Sequence, residues 1–256
     1  MAAVLEPTAH RLHLVRERIV AAAVAAGRDP SGIRLIAVSK THAPSDCAAA
    51  IAAGVADLGE NRVQELVAKA DRVAGALAAA PQGSPDRQPA WHLIGPLQSN
   101  KVGAVVNRGW WLHTLDRRSV IDRVARLSDD PGLQRVLLQV NIGADPAKSG
   151  CTPREAPALL SHALESGLDV RGLMTVPPLA SAPELAGSEA AEHFAALQSL
   201  QTQLRREHDA LCELSMGMSS DLEAAITHGA TMVRIGTAIF GDRGDRPWRP
   251  ASTTEQ

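Results

Sequence analysis

Eight short apolar runs recur along the chain, near residues 33–39, 56–60, 91–95, 110–115, 135–142, 172–176, 213–217 and 232–240, with helix-patterned segments between them. A run such as "RVLLQVNI" is nearly continuous in apolar residues. That is the pattern of a parallel strand covered by helices, whereas a strand with one face in water alternates. Between the runs the period lengthens to a helical one. Val63, Leu66, Val67, Ala70, Val73 and Ala74 fall on one stripe, while Arg62, Glu65, Lys69 and Arg72 point elsewhere. Eight strand-then-helix units in 256 residues close most simply as a single (β/α)8 TIM-type barrel. An open doubly wound sheet is the alternative, and the lack of a G-x-G-x-x-G after the first run removes the main reason to prefer it.

An extra helix precedes the barrel. Leu12, Val15, Ile19 and Ala22 or Ala23 recur at helical spacing over residues 8–26, with Gly27 and Pro30 as stop signals. "TPRE" (152–155) and "SDLE" (220–223) read as capping boxes at helix starts, the first with Pro153 at the first helical position. Residues 81–89 and 177–189 read as loops, and "DRGDRPWRPASTTEQ" from Asp242 as a frayed tail. The expected division is a barrel over 1–241 and a flexible tail over 242–256.

A formal net charge of -2 gives no general attraction to nucleic acid or to an anionic membrane. No window reaches about 18 uncharged apolar residues, and the N-terminus is charged where a signal peptide needs its apolar centre. A cytoplasmic protein is expected. Cys47, Cys151 and Cys212 form no C-x-x-C, so each is expected to be buried and reduced. His92 and His113 lack metal-ligand spacing with carboxylates and read as satisfied core histidines; no metal site is expected.

Of the 26 basic residues only Lys40, Lys69, Lys101 and Lys148 are lysines. In a barrel the active face is the C-terminal end of the strands. Lys40 closes the first run, and Lys101 and Lys148 lie in the segments after the third and fifth. An amine held by a rigid strand among apolar neighbours is tuned toward nucleophilic use. Two uses stay open: a Schiff base with a sugar-like carbonyl, or one with the aldehyde of pyridoxal phosphate (PLP). Either ligand commonly carries a phosphate. Gly217, Ser219 and Ser220 after the seventh run, and Gly236 and Thr237 after the eighth, supply the amides and hydroxyls of a barrel phosphate site; capping alone is the other role for the serines. Arg234 shares the face of Gly236, so it points into the same site or else pairs with a carboxylate inside the barrel. A guanidinium does not release its proton near neutral pH, so it can donate to a pyridine nitrogen without protonating it. Asn61 lies at another strand end, as a ligand contact or a turn-stabilising residue.

"AVSKTHAP", "GENRVQE", "WHLIGPLQSNK", "NIGADPAKSGC", "GLMTVPP", "LSMGMSSDLEAAI" and "RIGTAIFG" occur in this order over residues 8–241. Together they closely resemble the pyridoxal phosphate homeostasis proteins, also known as the YggS or proline-synthetase-co-transcribed family. The resemblance implies a barrel like the N-terminal domain of alanine racemase (PLP fold type III) with PLP as cofactor. It implies Lys40 as the aldimine lysine, Arg234 facing the pyridine nitrogen, and Ser219, Gly236 and Thr237 as the phosphate cradle with Ser215 assisting. Asn61 becomes a further cofactor contact and Lys148 a secondary amine for handing PLP on. Arg62 stands where many relatives have Tyr.

The resemblance implies control of cellular PLP and, indirectly, of amino and keto acids, without an established turnover reaction. A two-base racemase of this fold needs a second, tyrosine base from an added β-domain, and this chain contains no Tyr. A carrier or regulator of PLP, without catalytic residues, is therefore expected. A PLP-dependent racemase or lyase, or an aldolase using Lys40, is the enzyme alternative. PLP-dependent apo-enzymes are the expected recipients, and the protein is expected to be a monomer.

Overall fold

The computed structural model describes residues 2–79, 88–241 and 248–250. Strands β1 (Arg34–Val38), β2 (Asp57–Glu60), β3 (Ala90–Leu93), β4 (Trp111–Leu115), β5 (Arg135–Gln139), β6 (Asp169–Met174), β7 (Glu213–Ser215) and β8 (Met232–Ile235) close a barrel in chain order. Each neighbouring pair is parallel. Because β1 pairs with both β2 and β8, the sheet has no edge, and the open-sheet alternative falls away. The covering helices are α1 (Ala2–Ala25), α2 (Pro44–Ala52), α3 (Val63–Ala78), α4 (Arg118–Leu127), α5 (Ala156–Glu165), α6 (Ala186–Arg205), α7 (Leu222–Thr227) and α8 (Thr237–Phe240). After β3 a 3-10 segment, Ser99–Ala104, takes the place of a helix.

Helix α1 covers the seam of the barrel. The eighth run is shorter as a strand than its apolar length suggests: β8 stops at Ile235 and residues 237–240 coil into the single turn of α8. One turn cannot cover the outer faces of β8 and β1, and α1 packs across α2, α7 and α8 in its place. Among the described residues, Leu12, Val15, Ile19, Ala22 and Ala23 are the apolar ones it buries. Each of the three larger ones contributes roughly 1.5–3 kcal/mol.

The lumen differs from this shell. Its apolar part is a small separate cluster of Ile36, Trp111, Leu137, Met174 and Met232. His92, His113, Ser215 and Arg234 are buried polar residues on β3, β4, β7 and β8.

Five expectations are corrected. Glu65 and Lys69 of α3 are buried, at 3% and 0% exposure, because this flank packs against the turn after β1 instead of facing water. Cys47 and Cys151 are buried, but Cys212 is exposed in the turn before β7. The SDLE box does not form: the Asp221 carboxylate takes the Met218 amide, and Glu223 pairs with Arg18 of α1 at 2.9 Å. In TPRE the reciprocal bonds are made, Thr152 N to Glu155 Oε2 at 2.9 Å and Glu155 N to Thr152 Oγ1 at 3.3 Å, although the regular helix begins only at Ala156. Helix α6 starts at Ala186, inside the stretch read as a loop. Of the expected loop and tail, residues 81–87, 242–247 and 251–256 lie outside the described residues.

Candidate functional site

Lys40 is half-buried in the turn that leaves β1 at the C-terminal mouth. The next residue, Thr41, has φ +68°, a left-handed conformation that a β-branched side chain rarely adopts. Strain of this kind costs about 1–3 kcal/mol and persists where the surroundings over-determine it. Here Thr41 N donates to Glu65 Oε2 at 3.0 Å, and Trp248 N donates to Thr41 O at 2.8 Å.

Beneath the turn lies an ionic cluster that pattern reading missed. Lys69 Nζ donates to Ser39 O and to Glu60 Oε1, each at 2.6 Å, and Ser39 Oγ donates to the same carboxylate oxygen at 2.6 Å. Burial pushes the Glu60 carboxyl up, against the opposing pull of Lys69. The Lys69 amine also faces the Trp248 ring, 5.1 Å from its centroid. The available sequence signal was Glu60 itself: a carboxylate ending a buried strand needs a countercharge within reach.

Asn61 follows Glu60 and is fixed by close backbone approach. A Cβ on Gly95 would lie 2.0 Å from Asn61 O, so only glycine fits there. Beside it opens a cavity of about 640 Å³ lined by Asn61, Arg62, Lys101 and Arg249. Neither Lys40 nor Arg234 lines this cavity. Lys101 thus lines this cavity on the rim.

Across the mouth, Arg234 is 4% exposed, with Nη1 donating to Ser215 Oγ at 2.8 Å and Nη2 to Thr175 O at 2.9 Å. Of the two roles open to Arg234, pairing with a carboxylate is not what these hydrogen bonds show. Burial lowers its pKa to about 10, with Asp221 opposing through space, so it stays charged at neutral pH. Arg234 N donates to Gly217 O at 2.9 Å, which sets the segment carrying Ser219 beside the end of β8. A Cβ on Gly236 would lie 3.3 Å from Val38 O, so the Gly236–Thr237 turn borders the strand that delivers Lys40. The structure therefore brings Ser215, Arg234, Gly217 and Gly236 together next to β1. Ser219 has its carbonyl held by Arg18 Nη2 at 3.0 Å, and Ser220 is exposed.

Lys148 sits on the other flank. Asn141 shapes the loop after β5, its Nδ2 donating to Asp145 O at 2.8 Å. The Lys148 amine donates to the carbonyls of Val176 and Pro177, which follow the Thr175 that Arg234 holds. Burial lowers its pKa, with Asp145 opposing. His92 and His113 are fully buried and hydrogen-bonded, as expected of satisfied core histidines.

Comparison with known proteins places this geometry in a family. The sequence model for the N-terminal domain of alanine racemase matches residues 15–244. A pyridoxal phosphate homeostasis protein of Pseudomonas aeruginosa is 42% identical over 240 residues, covering 92% of this chain and 95% of that one. The chain belongs to the pyridoxal phosphate homeostasis protein family. The Escherichia coli member is 42% identical over 241 residues, covering 92% and 96% of the two chains. The structure of PipY from Synechococcus elongatus with PLP bound superposes on this homeostasis-family chain with a TM-score of 0.72 at 32% identity, over 91% and 100% of the two chains.

Proposed function

We propose that this chain binds PLP through Lys40 and serves PLP homeostasis by holding the cofactor and passing it on, without turnover of its own. The observation that carries the reading is Arg234: a buried guanidinium whose hydrogen bonds go to neutral acceptors, on the strand that ends just before Gly236. PLP supplies an aldehyde that condenses with an amine, a phosphate, and a pyridine nitrogen that accepts a hydrogen bond.

The residues fit that set of groups. Lys40 offers the amine from a turn whose strained neighbour is held on two sides. The Gly217–Ser219 segment and the Gly236–Thr237 turn offer amides and hydroxyls for a phosphate, and Asn61 a further polar contact. Arg234 donates to a ring nitrogen and keeps its own proton, which leaves the ring a weak electron sink. Without a tyrosine in the chain, no phenol stands ready as the second base of a racemase. Lys148, whose amine is lowered in pKa by partial burial, suits a receiving role in handover to PLP-dependent apo-enzymes. The reading includes a monomer in the cytoplasm; among the described residues no helix is long and apolar enough to cross a membrane.

Purified protein loaded with PLP is expected to show a visible absorption band that Lys40→Ala abolishes. A wild-type protein that takes up no PLP would sink the reading. Incubation of the loaded protein with single L-amino acids is expected to give no D-isomer and no loss of substrate; sustained turnover would replace the carrier by an enzyme.

A further inference from the structure

A line of hydrogen bonds crosses the barrel lumen from one mouth to the other. Asp57 opens β2 at the N-terminal mouth, beside a cavity of about 630 Å³ lined by Arg34, Asp57, Gln88, Glu213 and Thr231. His92 Nε2 lies 3.0 Å from Asp57 Oδ1, His92 Nδ1 2.9 Å from His113 Nε2, and His113 Nδ1 2.9 Å from Ser215 Oγ. Arg234 Nη1 completes the line at 2.8 Å from Ser215 Oγ. Both imidazoles are 0% exposed.

The two ends dictate the direction of every link. Arg234 only donates, and an ionised carboxylate only accepts. From the Asp57 end, a neutral His92 donates Nε2–H to Asp57 and accepts at Nδ1 from His113 Nε2–H; His113 Nδ1 then accepts the Ser215 hydroxyl proton, and Ser215 Oγ accepts from Arg234. Reversing the line would set the lone pair of His92 Nε2 against the Asp57 carboxylate at 3.0 Å. A doubly protonated ring would relieve that clash, but the surroundings oppose it. Burial lowers both histidines, and Arg34 and Arg135, each over the Trp111 ring, add to this at His92. At His113 the neighbouring His92, Arg234 and Arg34 act in the same sense, while Asp57 alone favours the charged form, and only at His92. Arg234 holds its proton at neutral pH, so the line delivers no net proton to the C-terminal mouth. It delivers position and polarity.

We propose that Asp57, His92, His113 and Ser215 are positioning residues for Arg234, forming a one-way hydrogen-bond chain that ties the guanidinium facing the cofactor to a carboxylate at the opposite mouth of the barrel. The cofactor end rests on the PLP reading above; the chain itself does not.

The first measurement uses the wild-type protein without added PLP, with ¹⁵N-labelled histidine, the two rings being assigned with His92→Gln and His113→Gln proteins. Both rings are expected to be neutral Nε2–H tautomers from about pH 5 to 8. An Nδ1–H tautomer, or a doubly protonated ring at neutral pH, would overturn the chain. The second measurement uses Asp57→Asn, whose amide can donate as well as accept, so the fixed direction is lost. After far-UV circular dichroism confirms the fold, a second tautomer set is expected. The absorption maximum of the PLP-loaded protein should shift, and PLP retention should weaken about fivefold, the low end of ordinary couplings between sites. In Ser215→Ala, where the link to Arg234 is cut, Asp57→Asn should add no further shift. A loaded spectrum unchanged by Asp57→Asn, or changed equally in the Ser215→Ala background, would overturn the positioning role. If the wild type takes up no PLP, the proposed function fails while the tautomer measurement still decides the chain.

Discussion

The wall between β1, β2 and α3 buries one cation, and the lumen buries another, and the two are balanced in opposite ways. Lys69 meets Glu60 at 2.6 Å and Glu65 at 3.5 Å, so its charge is answered by carboxylates at contact. Arg234 meets a hydroxyl and a carbonyl, feels Asp221 only through space, and reaches Asp57 only through three intervening residues. A charge answered at contact is electrostatically complete and serves the fold. A charge resting on neutral acceptors gains when a further acceptor or an anion arrives, which is the condition for serving a ligand.

Breaking the wall pair is expected to have the largest effect. Lys69→Ala leaves the Glu60 carboxylate buried and unanswered, and should lower unfolding stability by about 3–5 kcal/mol in urea titrations at neutral pH. Adding Glu60→Leu to Lys69→Met should recover most of that loss. If Lys69→Ala is tolerated within about 1 kcal/mol, the wall pair is not what holds the β1 turn.

Arg234→Met leaves no carboxylate stranded at contact. The expected loss is smaller, about 1–3 kcal/mol from the unmade bonds to Ser215 and Thr175, while equilibrium dialysis should show PLP retention largely lost. Equal stability losses for Arg234→Met and Lys69→Ala would erase the distinction between the two cations.

The neutral links between Arg234 and Asp57 give a pH dependence. Because burial lowers the folded-state pKa of His92 and His113, the unfolded chain binds more protons once pH falls below the ordinary histidine value. Their contribution is therefore fully present above about pH 6.5 and lost as pH falls, at up to about 1.4 kcal/mol per pH unit for each ring. Denaturation midpoints measured down to about pH 5 should decline accordingly. A flat profile would mean that the rings charge in place.

The smallest effect is expected at Trp248. Trp248→Ala removes the ring over Lys69 and is expected to cost about 1 kcal/mol or less by thermal melting, with faster hydrogen exchange confined to residues near Thr41. A loss as large as that of Lys69→Ala would place the tail among the main supports of the wall.

How far the sequence carries this picture differs from one region to the next. Continuous apolar runs report strands buried on both faces, and closure follows from eight of them in order, so the barrel was legible. The placement of Lys40, Gly236 and Arg234 at the ends of β1 and β8 was legible by position and parity relative to strand ends. Lys69 was not, because a helical stripe sorts residues into apolar and polar flanks and assumes that the polar flank meets water; here that flank meets the β1 turn. The Asp57 to Arg234 line was hidden for another reason. Its members come from β2, β3, β4, β7 and β8, and no spacing along the chain records who becomes a neighbour when a barrel closes. The SDLE box failed because Arg18, far away in sequence, competes for Glu223.

The contact of Trp248 with the Thr41 carbonyl also gives the molecule an optical probe of its own. Of its four tryptophans, Trp91, Trp110 and Trp111 are fixed in or next to the barrel strands, and Trp248 alone touches the turn of Lys40. Its emission, read against a Trp248→Phe background, reports the state of that turn without any attached dye, so, on the proposal that Lys40 holds the cofactor, its arrival and departure are expected to be timed in unmodified protein.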